Sequence, residues 1–280
     1  MKKYFALSTI LILLIPFVFQ NCNRKANAGT TSETEAPSNN SAKLKSMSKN
    51  GITITELYSP ETFDEATILQ NENSTKEELD KNMISIQYNT TGYELGKQTA
   101  MTAIKSCANS AKGQHIHCLV DGGPYNALYE PNAKVKAEDD GMHYVLSFLS
   151  RSYHESIKNK KAYSLTTVIT GMSRYTAKYR APNLDEPMLF YSRPKGEYIG
   201  AETDAVLLDF YLVNCDLSKS GYKVKAIING TEFILDKWSG YFMEGLPMGE
   251  NTVQLTLLDE KGNTVASRFN EATRKFTLKK

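Results

Sequence analysis

From Lys112 to Tyr125 the chain reads KGQHIHCLVDGGPY, and from Ser220 to Phe233 it reads SGYKVKAIINGTEF. Each stretch carries a glycine, an alternating run of equal length, and then Asp121-Gly122 in one and Asn229-Gly230 in the other. Self-similarity over this distance means one supersecondary scheme built twice, which constrains the fold more than any composition does. The match continues downstream, where GMHYVLSFLSRSYHES answers GENTVQLTLLDEKGNTV with a one-residue slip. Upstream, LYSPETFDEATIL is set against FYSRPKGEYIGAETDAVLL, and ISIQYNTTGYELG against LDFYLVNCDLS.

Both copies have the period-2 pattern of short strands, punctuated by Asn-Gly, Asp-Gly, Gly-Asn and Pro. Val224, Ala226 and Ile228 share one face and Lys223 and Lys225 the other, as in a strand with one face in a core and one in water. With no long amphipathic pattern anywhere, the expectation is an all-β protein of two tandem immunoglobulin-like sandwiches. The first is placed at 51–172, with an inserted loop, a linker at 173–187 and the second at 188–280. The Cys, Trp, Cys arrangement of true immunoglobulin domains is missing, so the expectation concerns architecture.

Ahead of the repeats stands an export signal: Lys2 and Lys3, then an apolar run from Tyr4 to Phe19. That run is shorter than the roughly 20 residues of a spanning helix, and Pro16 interrupts it. Residues 1–21 are therefore read as a signal peptide and Cys22, where the run stops, as a lipidated cysteine. Ala26 to Ala28 offers the competing small-x-small cleavage site, which would leave a soluble exported chain. Residues 22–50 are rich in Ser, Asn, Thr and Lys and read as a flexible tether of roughly 30 Å root-mean-square span. These features place the folded part in the cell envelope, anchored through lipid to a membrane, with the outer membrane favoured. A net charge of +2 with no basic block argues against nucleic acid as partner.

YSRPKGEY, VLLDFYLVN and EGLPMGENTVQLTLLD, with KGQHIHCLVDGGPY and LSFLSRSYHES in the first copy, give the chain a resemblance to a group of bacterial lipoproteins, some automatically labelled phosphopeptide-binding proteins. The resemblance covers roughly residues 50 to 280 and implies an exported sandwich protein. It carries no catalytic or binding residues across. The arginine cluster that phosphate recognition calls for is missing from the chain.

Chemistry is sought where the copies differ. All four histidines, His115, His117, His143 and His154, fall in the first copy, and Lys223 and Lys225 stand where the second copy would have His115 and His117. Both pairs are read as surface positions, the two imidazoles side by side about 7 Å apart along a strand. The insertion KQTAMTAIKSCANSAK and the hairpin tip SRSYHES are equivalent to loops that gather at one end of a sandwich. His115, His117, Arg151, Tyr153, His154 and Glu155 are therefore the candidate ligand-binding residues. Two readings stay open for them: a solvated strand face under a polar loop, or a Cu or Zn site of His115, His117, His154 and Cys107. His143 reads as a turn residue. Cys107 and Cys118 could form a disulfide in an oxidising compartment, while Cys118 sits at a core position by alternation. Trp238, Tyr241 and Phe242 are candidates for a glycan- or peptide-gripping platform, or for sheet packing. No catalytic signature appears, so the expected role is a non-catalytic binding or structural module, with protein, peptide or glycan as partner.

Overall fold

The structure, a computed structural model, describes residues 44–59, 61–100, 107–176, 178 and 182–280. The expected signal peptide, Cys22 and most of the expected tether lie outside the described residues, as do residues 101–106 of the inserted loop. The described part opens with a hairpin, β1 (Ser46–Lys49) and β2 (Ile52–Glu56). There follow β3 (Thr67–Glu72), the short helix α1 (Lys76–Asp80), β4 (Met83–Thr91) and β5 (His115–Val120). Then come β6 (Asn126–Leu128), β7 (Asn132–Lys136), β8 (Gly141–Ser150) and β9 (Tyr163–Thr170). After α2 (Ser173–Thr176) the chain forms β10 (Met188–Arg193), β11 (Gly196–Ile199), β12 (Val206–Val213) and β13 (Lys223–Ile228). It ends with β14 (Thr231–Leu235), β15 (Tyr241–Glu244), β16 (Gly249–Leu258) and β17 (Ala272–Lys279).

The first sandwich pairs a sheet β3-β4-β7 with a sheet β6-β5-β8-β9, and the second repeats this as β10-β12-β15 with β14-β13-β16-β17. The all-β, immunoglobulin-like expectation is thus met, with β11, parallel to β17, an added edge strand of the second sandwich. Even the turns correspond. Asp121 and Gly122, at φ 50° and 66°, match Asn229 and Gly230, at 46° and 81°. Positive φ at two consecutive residues suits Asp-Gly and Asn-Gly best. The Asp121 carboxylate accepts the Tyr144 N–H at 2.9 Å as the Asn229 side-chain oxygen accepts that of Thr252 at 2.8 Å.

Two expectations need correction. The segment Leu57–Ser59 is not the counterpart of β10; that role belongs to β3, the strand that pairs with β4 as β10 pairs with β12. The folded part also begins earlier than residue 51, and its first hairpin belongs to the other sandwich. β2 pairs with β15, Ile54 opposite Met243, extending the sheet to β1-β2-β15-β12-β10. Ile52 and Ile54 alternate into the second core, which is why this short strand docks there. The first sandwich is consequently nested between β2 and β10 of the second.

Three apolar seams separate four stacked sheets. Ile84, Ile86, Ile116, Cys118, Val145 and Leu149 fill the first sandwich, and Leu189, Phe210, Val224, Phe233, Leu255 and Phe276 are among those filling the second. Between the sandwiches lies a third cluster. Leu119, Leu146 and Phe148 of the first meet Met188, Phe190, Tyr211 and Val213 of the second, with Phe148 stacked on Tyr211 at 4.4 Å. β8, β10 and β12 are therefore covered on both faces, and read as near-continuous apolar runs for that reason.

One ion pair is sealed into this middle seam. Asp209, fully buried, accepts from Lys158 Nζ at 2.5 Å and from Ser156 Oγ at 3.0 Å. Removing one member of a buried pair strands the other's charge, so Asp209→Ala is expected to cost about 3–5 kcal/mol in urea denaturation. The double replacement Lys158→Met, Asp209→Leu should cost much less, and equal losses would show that packing rather than charge is at stake.

Candidate metal centre

His115 and His117 do point away from their own core, but they are not at the surface: both are fully buried. The correction has a plain cause. In the second sandwich the equivalent face, with Lys223 and Lys225, stays partly open to water. In the first, β10 and β12 are laid across it, and Ser192 of β10 reaches His117 Nδ1 at 3.2 Å. The β5 strand thus presents its two imidazoles into the seam.

His154 joins them from the tip after β8. Its Nδ1 stands 3.0 Å from His115 Nε2, which is itself 3.0 Å from His117 Nε2. One ring nitrogen from each lies within 4.8 Å of the other two. His154 does this from φ 71°, at the turn position where the second sandwich has Gly262 at φ 84°. The two turns close alike, His154 N–H to Arg151 O and Gly262 N–H to Asp259 O. Left-handed backbone is costly for a residue with a Cβ, and such residues persist where the surroundings hold them for a purpose.

The tautomers follow from the neighbours. His115 Nδ1 faces the Gly113 carbonyl at 2.9 Å, and a carbonyl only accepts, so the proton is on Nδ1 and the Nε2 lone pair faces the other rings. Metal-ligating histidines are fixed in this way, by giving their second N–H to a carbonyl. The carbonyl is held by a tight approach: a Cβ on Gly113, at φ 79°, would lie 2.2 Å from Gly96 O. Gly113→Ala is expected to cost about 2–4 kcal/mol, read by thermal unfolding, since both strain and overlap oppose it.

All three rings are kept neutral. Burial pushes His115 down to about 4, with Arg193 adding to the effect against the opposing Gly113 hydrogen bond. Burial, then Arg193, His115 and Lys195, lowers His154 to about 2, and burial first of all holds His117 well below the ordinary imidazole value. Aromatic walls supply the burial. Tyr125 stacks on His117 at 3.6 Å, Phe148 lies 5.3 Å from it, and Tyr129 lies 5.0 Å from His115. Nitrogens bound tetrahedrally to one ion at about 2.0–2.1 Å are about 3.3 Å apart, close to the two spacings seen here.

The other expected site residues form a separate cluster. Glu155 accepts from Tyr153 at 3.2 Å, from the half-buried Ser59 at 2.5 Å and pairs with Arg151 Nε at 3.0 Å, with Arg151, Tyr153 and Glu155 themselves buried. This clasp fastens the tip: Tyr153 packs with Leu57, Cys107, Ala205, Leu207 and Phe242. Cys107 is therefore not brought to the imidazoles, and burial raises its thiol to about 11. It is not bonded to Cys118 either; Cys107, Cys118 and Cys215 are free. The inserted loop and the tip do meet, through Thr99 and Ser152, whose N–H groups and hydroxyls exchange hydrogen bonds at 3.1 and 3.2 Å.

His143 is no turn residue but the third position of β8, buried, with Nδ1 2.6 Å from Asp121 Oδ2 and Nε2 near Thr170 Oγ1 and Asp139 O. The Asp121 hydrogen bond raises its pKa against the opposing burial. Its contribution is full below the unfolded value near 6.5 and is lost as pH rises through the higher folded value. The stability gap between the protein and His143→Gln is expected to narrow above that value, as urea midpoints would show. Trp238 donates to Phe210 O and packs edge-on against Tyr211, while Tyr241 and Phe242 are buried. They do not form an open platform for glycan.

Sequence reasoning missed Ser192, Arg193 and Lys195, which come from the second sandwich. The alignment of His154 with Gly262 was a legible pointer to an unusual residue.

No family model matches the chain, and no curated protein matches it. Among solved structures, a similar one is described as structures of Clostridium thermocellum CbhA fibronectin(III)-like modules. It is 13% identical, covers 71% of this chain and 86% of that chain, and superposes with a TM-score of 0.26. The architecture accordingly stands on the strand order of this chain itself.

Proposed function

We propose that this protein is an exported, lipid-tethered binding module of the cell envelope, and that what it binds is a metal ion held by His115, His117 and His154. The single observation that carries the metal reading is the meeting of three neutral ring nitrogens, two of the spacings being 3.0 Å. Imidazole is a ligand for Zn, Cu, Fe and Ni, and only its neutral form binds. The tautomer of His115 and the left-handed backbone of His154 support the same reading.

The full chain, purified metal-free in detergent, should take up one equivalent of Cu or Zn, and His115→Ala should take up none while keeping its circular dichroism. A wild-type chain that binds neither, or a variant that binds as well, would overturn this. The tether rests on the position of Cys22 at the end of the apolar run. Labelled palmitate should enter the wild type and not Cys22→Ala; a mature chain starting at Gly29 would disprove the lipid anchor.

A further inference from the structure

We propose that the imidazole site selects a monovalent soft ion, Cu(I), over Zn(II), and that Arg193 and Lys195 of the second sandwich set this preference. The inference rests on the metal reading above and concerns which ion the site prefers.

The donor set comes first. Among the described residues the group that converges is three imidazoles, with no thiolate or carboxylate in it. The nearby acids are engaged elsewhere: Glu155 with Arg151, Ser59 and Tyr153, and Asp209 with Lys158 and Ser156. An ion bound here keeps its whole charge, which burial makes costly, and more so for a dication.

Fixed cations add to that cost. Lys195 Nζ stands 4.2 Å from the centre of the Tyr125 ring and the Arg193 guanidinium 5.5 Å from it, and this ring is the one stacked on His117. Both are held in place, Lys195 by the Tyr125 carbonyl at 2.6 Å and Arg193 by the Tyr198 hydroxyl at 3.1 Å. Coulomb repulsion from each is twice as strong on Zn(II) as on Cu(I).

Coordination number points the same way. Zn(II) in protein sites is almost always four-coordinate, and the walls around these nitrogens are the aromatic rings of Tyr125, Tyr129 and Phe148. Cu(I), with a filled d shell and a single charge, is satisfied by three nitrogen ligands.

The test is a competition titration on the full chain: Cu(I) against a chromophoric Cu(I) chelator under anaerobic reducing conditions, and Zn(II) against a zinc indicator. The wild type should hold Cu(I) at least about tenfold more tightly than Zn(II), the effect on the ratio of two fixed cations at roughly threefold each. Lys195→Gln should tighten Zn(II) roughly tenfold and Cu(I) only about threefold. Zn(II) binding as tight as Cu(I) in the wild type, or a ratio unmoved in Lys195→Gln, overturns the selectivity while leaving the metal site standing. Binding of neither ion removes both.

Discussion

Lowering the pH from 6.5 to 5 is expected to destabilise the metal-free chain by about 1.5 kcal/mol through His115 alone, with His117 adding to the loss in the same direction. An unfolded histidine titrates near 6.5. Folded, both rings are held lower, His115 at about 4 and His117 well below the ordinary value, with burial the main cause. Below 6.5 the unfolded chain therefore binds protons that the folded chain refuses. Each such ring removes about 1.4 kcal/mol per pH unit until its folded value is reached. His154, half-buried, adds to the effect in the same direction. His143 opposes it, since its folded pKa is raised, but it is one group against three. Urea denaturation at pH 7, 6 and 5 measures the slope, and His115→Gln with His117→Gln should flatten it. A wild-type midpoint unchanged between pH 6.5 and 5 would mean that these rings are protonated in the folded state, and hence not poised as ligands.

The second large effect separates ligation from ordinary packing. His154→Gly restores the residue that the matching turn of the second sandwich uses, Gly262 at φ 84°. It relieves a left-handed residue, worth about 1 kcal/mol, and gives up the contact with His115. Metal-free stability should accordingly stay within about 1 kcal/mol of wild type. Metal-dependent stabilisation should vanish. With metal at a thousand times its dissociation constant the wild type gains about 4.1 kcal/mol, and the variant should gain nothing. Thermal scans with and without added Cu(I) or Zn(II) read both halves. If His154 were only a packing residue, the variant would lose metal-free stability and show the same metal response as wild type.

Much of this was legible in the residues. The alternation in HIHCLV and KVKAII places the histidines and the lysines on equivalent faces, and the structure keeps that equivalence. What alternation does not encode is which of two equivalent faces a neighbour covers. A sign of it was present: MLFYS and VLLDFYLV are apolar at both parities, as strands need to be when both faces are buried. The Arg151–Glu155 clasp was beyond reach for a different reason. Residues 151, 153 and 155 share a tip with His154, but a tight turn sends them to another surface, and sequence proximity does not reveal that parting. The docking of β1 and β2 depends on a partner nearly two hundred residues later, which local pattern has no means to specify.

That docking has a consequence for how the protein is made. The sheet holding Ile54 opposite Met243 has to wait until the chain has been synthesised past residue 244. The nested sandwich, by contrast, has all its strands by Thr170 and can fold as a finished unit as soon as that part of the chain has reached its compartment. Its imidazole-bearing face remains uncovered during that interval, so a ligand present at birth would meet His115 and His117 before the lid of β10 and β12 exists.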